Sequence, residues 1–560
     1  MKTFKILLFL FLMANPGPGH ALPETGEVSQ FLRGWLEAAT KSQQVWVGCE
    51  PIHAGKDLVD FYHRRDDRPV WVSEEGPCEA ARELLAVLGN AERHGLFPRD
   101  YHFTCLSEWL KPASAERPWS IDAKELAGME IVLSDAFVTF GNHLASGKID
   151  PETIYPHWIS PRKKNEVFGL LAGITTAQDV DNAVEALAPV GDGYRAAMDE
   201  ARRLRTAIAS GQWREIEPGE TLRIGDQSAR IEQVRARLIV EGDLAGPEES
   251  GEGAAVFDDR LQEAVIRFQR RHGLSPDGAI GRQTLAALNR SPQDRLRCVL
   301  VNMERWRWLP RDLGRRHIIV NPPAFQLEAF QEGRKVMEMP VIVGEAYTKT
   351  PVFSKNMTYL VINPYWNVPR GVLARKILPK IKKDPGYIAS HHFELIGGWK
   401  ESAAPLDPTL IDWSTIHAGN FPGRLRQRPG PWNSLGRIKF IFPNDFSVYL
   451  HDTPDRHLFQ RTARAYSSGC IRVEKPIDLA LFVLAPDPSW DRDRIEGIIA
   501  EAKTTTVVIK DPLTVHLQYW TFWVKHTRWV LPRPGRPKAS TLSALSTKPP
   551  SQSVGSSLRT

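Results

Sequence analysis

Residues 447–480, SVYLHDTPDRHLFQRTARAYSSGCIRVEKPIDLA, are the stretch of the chain that says most about its fold and chemistry. The apolar run that enters this stretch predicts a β-strand over Phe446–Leu450, which delivers His451 at its end. Cys470 follows nineteen positions later, inside the segment SSGCIR at residues 467–472. Gly469 allows the backbone to turn closely, so we expect a tight turn around the cysteine.

Cys470 and His451 have the chemistry of a nucleophile and its base. The thiolate is the reactive form of cysteine, so a catalytic cysteine needs a base or a positive field. His451 can supply the base, and Arg472 can supply the field or hold a substrate carboxylate. Backbone N–H groups near Gly469 could point at a developing oxyanion. A bare pair means little in a chain with five cysteines and sixteen histidines, and the polar, glycine-containing loop is what favours catalysis.

The chain around this stretch has the two-residue periodicity of β-strands. Runs rich in Val and Ile, separated by turn residues, predict a mostly β domain over residues 316–511. The expected strands are His317–Val320, Phe325–Phe330, Val336–Val343, Met357–Ile362, Ile438–Phe442, Phe446–Leu450 and Thr505–Ile509. Residues 363–433 break the pattern with many Pro, Gly and Trp residues, and we expect a structured insertion that caps one face of the domain. The run Tyr519–Val524 is typical of a buried strand.

Helical periodicity dominates the chain before residue 316. Residues 216–292 predict a small three-helix unit, with helices at Ser228–Val240, Asp258–Arg271 and Gly281–Asn289. A connecting helix is expected over Arg295–Leu309, where Cys298 lies among apolar residues and should be a buried, inert thiol. Residues 27–213 predict a helical domain, with its clearest helices at Glu79–Asn90 and Lys124–Ser146.

The composition is that of a globular protein with several domains. The 560 residues suggest three to four domains, and 42% hydrophobic with 25% charged residues exclude a disordered or fibrous chain. A net charge of +6 permits an anionic partner without requiring nucleic acid. Five cysteines are too few for a disulfide-rich scaffold, and their odd number leaves at least one thiol unpaired. Cys49, Cys78 and Cys105 allow one bond among three choices, or none.

Both ends of the chain differ from its globular middle. Residues 1–21 begin with Lys2 and Lys5, continue through an apolar core and end in Gly19-His20-Ala21, which predicts a secretory signal peptide. An uncleaved membrane anchor is the alternative, although the apolar run is shorter than a membrane span needs. The protein is therefore expected outside the cytoplasm. Residues 532–560 are rich in Pro, Ser and Lys, and we expect a disordered tail.

Two motifs resemble known families. The pair of His451 and SSGCIR resembles the signature of L,D-transpeptidases with a YkuD-type catalytic domain, a histidine followed by S/T-x-G-C-I/V-R, although many members have His or Arg in place of Ser468. The stretch FDDRLQEAVIRFQRRHGLSPDGAIGRQTLAALN at 257–289 resembles the peptidoglycan-binding domain of cell-wall enzymes. Segments at 61–72, 94–102 and 426–444 are similar to the YcbB-like branch. The resemblance covers residues 27–524, and the chain departs from the family's usual ending after Val524.

The resemblance implies a multidomain α+β chain: a helical scaffold domain, a small three-helix peptidoglycan-binding domain and a mostly β catalytic domain with a capping insertion. It also implies a peptidoglycan transpeptidation. Cys470 would attack the carbonyl of the third residue of a tetrapeptide stem and expel D-Ala, while His451 accepts and later donates a proton. An amine from a second stem would then resolve the thioester, which forms a 3→3 cross-link. Members of this family are typically acylated by carbapenems.

The resemblance also implies the remaining site residues and partners. The backbone of Ser468, Gly469 and Cys470 would hold the oxyanion. Tyr449 shares a strand face with His451 and would line the pocket, with a core aromatic as the equal alternative. The expected partners are peptidoglycan stem peptides, with other cell-wall synthesis proteins as further candidates. No nucleic acid, cofactor or metal is expected, and the expected location is the periplasm.

Several alternatives stay open at this point. If water or a lipoprotein amine resolves the thioester, the enzyme is an L,D-carboxypeptidase or an anchoring enzyme, and a general cysteine wall peptidase would also use water. A zinc enzyme would need a ligand cluster such as His451, Asp452 and His457, but that cluster leaves the SSGCIR turn unexplained. A non-catalytic peptidoglycan-binding scaffold is the last alternative.

Overall fold

The computed structural model describes residues 26–41, 45–48, 50–73, 75–111, 122–154, 166–211, 213–246, 252–398, 400, 402–525 and 528–530. The expected signal peptide, the expected tail and Cys49 lie outside the described residues. The chain divides into two compact units. One comprises Met1–Asn90, Phe97–Gly141 and Asn165–Ala186, and the other comprises Ala91–Leu96, Asn142–Lys164 and Leu187–Thr560.

The N-terminal region is helical, as its periodicity predicts. Its elements are α1 Glu27–Lys41, β1 Val45–Val47, β2 Glu50–Ile52, α2 Gly55–His63, β3 Val72–Ser73, β4 Gly76–Pro77, α3 Glu79–Gly89, α4 Phe103–Trp109, α5 Ala123–Ser146, α6 Pro151–Ile154, α7 Glu166–Ala172, α8 Ala177–Leu187 and α9 Asp192–Ser210. In the first unit, buried Glu130 of α5 accepts hydrogen bonds from the Tyr62 hydroxyl and from the amides of Val70 and Trp71, at 2.5 to 2.8 Å. A buried carboxylate needs such donors, and these tie a loop to the long helix.

The next unit is the expected three-helix domain. It contains α10 Ala229–Val240, α11 Asp259–Arg271 and α12 Arg282–Leu288. The Asp258 side chain caps α11 by accepting the Leu261 amide at 2.8 Å. Buried Gln269 explains the turn that follows, because its amide group bonds Asp277 at 2.7 Å, the Ala279 carbonyl at 2.9 Å and the Gly278 amide at 2.9 Å. The glutamine and the Asp-Gly turn therefore depend on each other.

A long helix, α13 Pro292–Arg307, leads into the β domain. Cys298 of this helix is buried against Thr521, with its Sγ 3.3 Å from the Thr521 Oγ1, so the expectation of a buried thiol is confirmed. Cys298 and Cys78 are free thiols, and the Cys78 Sγ lies 3.9 Å from the Val70 carbonyl oxygen.

The β domain begins with four strands, which are β5 Arg316–Asn321, β6 Gln326–Gln331, β7 Arg334–Gly344 and β8 Phe353–Ile362. An insertion follows, with β9 Trp366–Asn367, α14 Arg370–Val372, α15 Leu378–Lys383, α16 Tyr387–Ser390, β10 Phe393–Ile396, β11 Pro405–Leu406 and β12 Arg424–Gln427. It has its own four-stranded sheet and its own apolar core around Ile381, Leu395 and Trp413. The insertion is thus an independently packed element. That it caps the catalytic face stays a prediction.

The domain is completed by β13 Ile438–Ile441, β14 Leu450–His451, β15 Ala465–Ser467, β16 Ile471–Val473, α17 Pro476–Leu484, α18 Arg492–Ala500 and β17 Thr505–Leu517, and β18 Trp523–Lys525 and β19 Arg528–Val530 follow. Among the described residues the main sheet has nine strands in the order β15-β7-β16-β14-β13-β8-β17-β5-β6. Strand β7 also pairs with β6, so eight strands close into a barrel-like ring. The apolar faces of the strands and of α17 share one core. The expected multidomain α+β fold is confirmed.

Two expected strands are wrong in their bounds. Phe446–Leu450 is a strand only at Leu450, because Asn444 folds the preceding residues into a turn. Its side chain accepts the amides of Phe446 and Val448 at 3.0 and 3.2 Å, and Ser447 adopts a positive φ of 55°. In Tyr519–Val524 only the last residues lie in a strand, Trp523–Lys525.

None of the helices within the described residues is long and apolar enough to cross a membrane.

Candidate functional site

The register of three adjacent strands builds one polar face. Lys439 of β13 lies opposite His451 of β14, and His451 lies opposite Arg472 of β16. Their sequence neighbours Leu450, Phe440 and Ile471 are fully buried in the barrel core. Because side chains alternate between the faces of a strand, Lys439, His451 and Arg472 form a row on the other face.

Cys470 lies on this same face, two residues before Arg472. It directly precedes β16 and stands opposite Tyr449, whose carbonyl accepts the Ile471 amide at 3.1 Å. The thiol is 3.8 Å from the Ser447 carbonyl oxygen, which is its hydrogen-bond acceptor here. The structure thus brings Cys470, Tyr449, His451 and Arg472 to one surface, as expected for the site residues.

The turn that holds Cys470 is tightly bonded. Buried Ser467 donates its hydroxyl to the Cys470 carbonyl at 2.5 Å and accepts the Gly469 amide at 3.1 Å. Gly469 has φ +122°, a conformation that residues with a Cβ rarely adopt. The glycine and the first serine of SSGCIR are therefore needed for the shape of the turn.

The loop that follows β7 is hydrogen-bonded to the turn that contains Cys470. Thr350 donates its hydroxyl to the Gly469 carbonyl at 2.8 Å, and Thr348 donates to the Ser467 carbonyl at 3.2 Å. The loop can approach only because residue 344 is a glycine, since a Cβ there would lie 2.0 Å from the Thr348 carbonyl oxygen. Sequence reasoning missed these two threonines, which follow a strand but carry no motif of their own.

The tautomer of His451 follows from its one close partner. Its Nδ1 lies 2.5 Å from the Asp452 carbonyl oxygen, which can only accept, so Nδ1 carries the proton. Burial, together with the charge of Arg472, lowers the pKa of His451 to about 3. At neutral pH the imidazole is therefore neutral and its Nε2 has a lone pair, which is the form a general base requires.

The thiol of Cys470 is protonated at rest. Burial raises its pKa, and the nearby Tyr449 hydroxyl and the charges of Lys439 and Arg472 oppose this effect only in part. Removing the proton thus requires a base. These same groups would stabilise the thiolate once it forms.

Lys439 is the main residue that the sequence reasoning missed. Its ammonium group lies 4.0 Å from the centre of the Tyr449 ring, and its charge lowers the pKa of Cys470. Burial lowers the pKa of Lys439 itself. A signal was present in RIKFIF at residues 437–442, where one lysine interrupts an apolar strand. Only the strand register shows that this lysine faces the cysteine.

Arg472 has a partner that the sequence did not suggest. It donates from a terminal nitrogen to Asp455 at 2.8 Å, and its side chain is 19% exposed. This ion pair holds the guanidinium group in place, so it acts on Cys470 and His451 as a fixed charge.

The three backbone amides proposed for an oxyanion differ in availability. The Gly469 amide is bonded to Ser467 at 3.1 Å. Among the described residues, the amides of Ser468 and Cys470 donate to no other group. Ser468 is exposed and Cys470 is half-buried, so these two amides are the open donors of the turn.

The residues His451, Asp452 and His457 do not form a group of converging metal ligands in the described part of the chain. A different group, His53, His102 and Asp135, has ligand atoms within 4.8 Å of one another. Both ring nitrogens of His102 already bond carboxylates, Glu50 at 2.7 Å and Asp135 at 2.8 Å. Hydrogen bonding accounts for that cluster.

Three family models match the chain. Residues 315–509 match the YkuD family, described as "L,D-transpeptidase catalytic domain". Residues 227–288 match a family described as "Putative peptidoglycan binding domain", and residues 56–200 match one described as "Scaffold domain".

Two curated proteins are similar to parts of the chain. A Haemophilus influenzae protein named "Putative L,D-transpeptidase" is 39% identical over 209 residues, which is 37% of this chain and 42% of the relative. A Mycobacterium tuberculosis N-acetylmuramoyl-L-alanine amidase is 42% identical over 77 residues, 13% of this chain and 19% of the relative. The chain thus spans less than half the length of either relative.

Two solved structures are also similar. An L,D-transpeptidase from Stackebrandtia nassauensis is 12% identical, with 53% of this chain and 94% of that chain covered and a TM-score of 0.21. An L,D-transpeptidase from Xylanimonas cellulosilytica is 15% identical, with 54% of this chain and 98% of that chain covered and a TM-score of 0.16.

Proposed function

Since residues 315–509 belong to the YkuD family of L,D-transpeptidase catalytic domains, we propose that this protein forms 3→3 cross-links in peptidoglycan through a thioester on Cys470. One observation carries the proposal. The protonated thiol of Cys470, the neutral imidazole of His451 and the basic side chains of Lys439 and Arg472 lie on one face of three adjacent strands.

The first half-reaction is acylation. The Cys470 thiol leaves the Ser447 carbonyl and turns toward His451, whose Nε2 takes its proton. The thiolate attacks the carbonyl carbon of the third stem residue, while Lys439, Arg472 and the Tyr449 hydroxyl stabilise the charge on sulfur. The open amides of Ser468 and Cys470 bind the oxyanion. His451 then protonates the leaving amine, and D-Ala departs.

The second half-reaction returns the enzyme to its starting state. An amine of a second stem attacks the thioester carbon, His451 takes its proton, and the C–S bond breaks as the new C–N bond forms. The proton on His451 passes to the thiolate. If water attacks instead, the same groups perform an L,D-carboxypeptidase reaction, which is the second candidate function.

The other domains fit a wall-bound enzyme. The match over residues 227–288 supports binding of the unit to peptidoglycan, which would hold the catalytic domain near its substrate. The proposed location is the periplasm, reached by cleavage of the signal peptide over residues 1–21. Other cell-wall synthesis proteins are proposed partners.

The test compares the wild type with Cys470→Ala on purified tetrapeptide muropeptides, read by mass spectrometry. We expect cross-linked dimers that have lost D-Ala from the wild type only. Dimers from both proteins would overturn Cys470 as the nucleophile. Tripeptides without dimers from the wild type would instead support the carboxypeptidase.

A further inference from the structure

A cavity of about 510 Å³ opens beside the catalytic face, where β14 and β16 end. Its lining includes Asp452, which directly follows His451, and Glu474 and Lys475, which follow β16. The volume is that of sites that hold small molecules or short peptide ends.

The charges in this cavity favour an anion. Two of its acidic side chains are already paired with cations of the same lining: Asp452 with Arg456 at 3.1 Å, and Asp478 with Arg492. Asp452 also accepts the backbone amide of Arg437 at 2.9 Å.

Two basic side chains of the lining have no acidic partner among the described residues. Among the described residues, the side chains of Arg437 and Lys475 form no ion pair, and both are exposed. Glu474 is the one acidic side chain of the lining outside the two ion pairs, so it offsets only one of these two positive charges. The net charge of the lining is therefore positive, and a carboxylate is a ligand group that would pair with it.

The register gives the distance from this cavity to the reacting atoms. Arg437 directly precedes β13, two residues before Lys439, and Glu474 directly follows β16, two residues after Arg472, so both lie just past the strand ends on the side of His451 away from Cys470. Cys470 lies one row on the other side of His451. At about 3.3 Å per residue, the cavity is roughly 13 Å from Cys470 along the strands.

His451 lies between the cavity and Cys470. This position indicates that the acyl acceptor is the substrate that reaches the cavity. The amine of the acyl acceptor must come to His451 to lose its proton. In a stem that ends in a diamino acid and one further residue, the terminal carboxylate lies roughly 10 Å from the side-chain amine when extended. An acceptor whose amine lies between His451 and Cys470, roughly 7 to 13 Å from the cavity, can therefore place its carboxylate at Arg437 and Lys475.

We propose that this cavity binds the terminal carboxylate of the acyl acceptor peptide, and that Arg437 and Lys475 determine specificity for it. The inference rests on the proposed transpeptidation. The acceptor amine attacks the thioester carbon, its proton goes to His451 and then to the departing thiolate, and the carboxylate in the cavity takes no part in bond making.

The test uses two acceptor peptides that are identical except for a free carboxylate or a carboxamide at the terminus. The ratio of their kcat/KM values is measured with one tetrapeptide donor. For the wild type we expect at least a tenfold preference for the carboxylate. In R437Q/K475Q the ratio falls to about one, and in either single variant it falls roughly threefold. Arg461→Gln, an exposed arginine of the same domain outside the cavity, keeps the wild-type ratio.

The ratio separates binding from a fold defect, because a damaged domain slows both acceptors equally. Equal use of the two acceptors by the wild type, or an unchanged preference in R437Q/K475Q, overturns the assignment of the cavity and leaves the proposed function intact. If the wild type releases D-Ala but transfers to neither acceptor, the proposed transpeptidation fails, and the cavity assignment fails with it.

Discussion

At the scale of single residues, the pKa shifts favour the proposal of a base-assisted cysteine over that of a preformed ion pair. Burial lowers the pKa of His451 to about 3 and raises the pKa of Cys470. A thiolate–imidazolium pair would need the opposite shifts. In the proposed reaction the starting state is therefore a neutral thiol, and the cations nearby would act on the charge that develops on it.

The resting thiol gives a pH prediction. Because the pKa of Cys470 is raised, the thiolate fraction at neutral pH is smaller than for a free cysteine. Alkylation of Cys470 by iodoacetamide, followed residue by residue with mass spectrometry, should be slow at pH 7 and still rising above pH 9. Free cysteine under the same conditions is the reference. A rate that is already on its plateau at pH 7 would show a preformed thiolate.

Lys439 provides a second prediction at this scale. Its removal as Lys439→Met takes away a positive charge that lowers the pKa of the thiol. Acylation by a tetrapeptide donor or a carbapenem should slow, by roughly tenfold, because less of the thiolate forms when this positive charge is absent. Lys439→Arg keeps the charge and should retain most of the rate. An equal loss of acylation rate in both variants would show that Lys439 acts through its packing and not through its charge.

Sequence alone pointed to Cys470 and His451, the two residues of the proposed reaction, but not to their electrostatic partners. Cys470 and His451 stand in a local motif, so they can be read from the chain. Lys439, Asp455 and Thr350 come from other elements, and only strand register and loop approach bring them to the turn. Such residues are polar interruptions in ordinary strands or loops and carry no pattern that identifies them.

At the scale of elements, helix bounds were predictable and short strands were not. Periodicity predicted α10 and α11 to within a residue, and the structure shows that the side chains of Ser228 and Asp258 cap their starts. The strand expected over Phe446–Leu450 failed because the Asn444 side chain replaces strand bonds with a turn. That turn places the Ser447 carbonyl against Cys470.

A buried ion network joins three helices of the second unit. Glu241, at the end of α10, pairs with Arg271 of α11 at 3.0 Å and with Arg295 of α13, and all three are buried. Removing one partner leaves buried charges without compensation.

Glu241→Gln should therefore lower the free energy of unfolding by about 3–5 kcal/mol, measured by urea denaturation. Glu232→Gln, an exposed residue of the same helix, is the matched control, and its effect should stay within about 0.5 kcal/mol. A loss as small as the control's would mean that the network contributes no net stability.

At the scale of the whole molecule, the sequence predicted the order of the parts but not how the barrel closes. The change from helical to β periodicity near residue 316 marks the border of the catalytic domain, and the break at residues 363–433 marks the insertion. The pairing of β6 with β7, which closes the ring, is a long-range contact. Composition and periodicity carry no information about such pairing.

Buried neutral histidines should make the second unit sensitive to acid. Burial lowers the pKa of His94 and of His516 to about 4. In the unfolded chain a histidine titrates near 6.5, so the unfolded state binds protons first as the pH falls. Their stabilisation is complete above pH 6.5 and is lost between about pH 6.5 and 4, at up to about 1.4 kcal/mol per pH unit for each histidine.

The measurement is the free energy of unfolding at pH 7, 6 and 5. It should fall with pH in the wild type and fall less steeply in His516→Gln. The exposed His391 serves as the control, and His391→Gln should leave the slope unchanged. A slope that does not differ between His516→Gln and the wild type would contradict the role of the buried ring.

The central claim, that Cys470 carries the acyl group, is tested most directly by locating the covalent intermediate. The full-length protein is incubated with a tetrapeptide donor or a carbapenem without an acceptor, quenched in acid, and mapped by peptide mass spectrometry. We predict one adduct, on the peptide that contains Cys470, absent from Cys470→Ala and formed more slowly in His451→Ala. An adduct on Cys78 or Cys298, or transfer products that form in Cys470→Ala, would contradict the account.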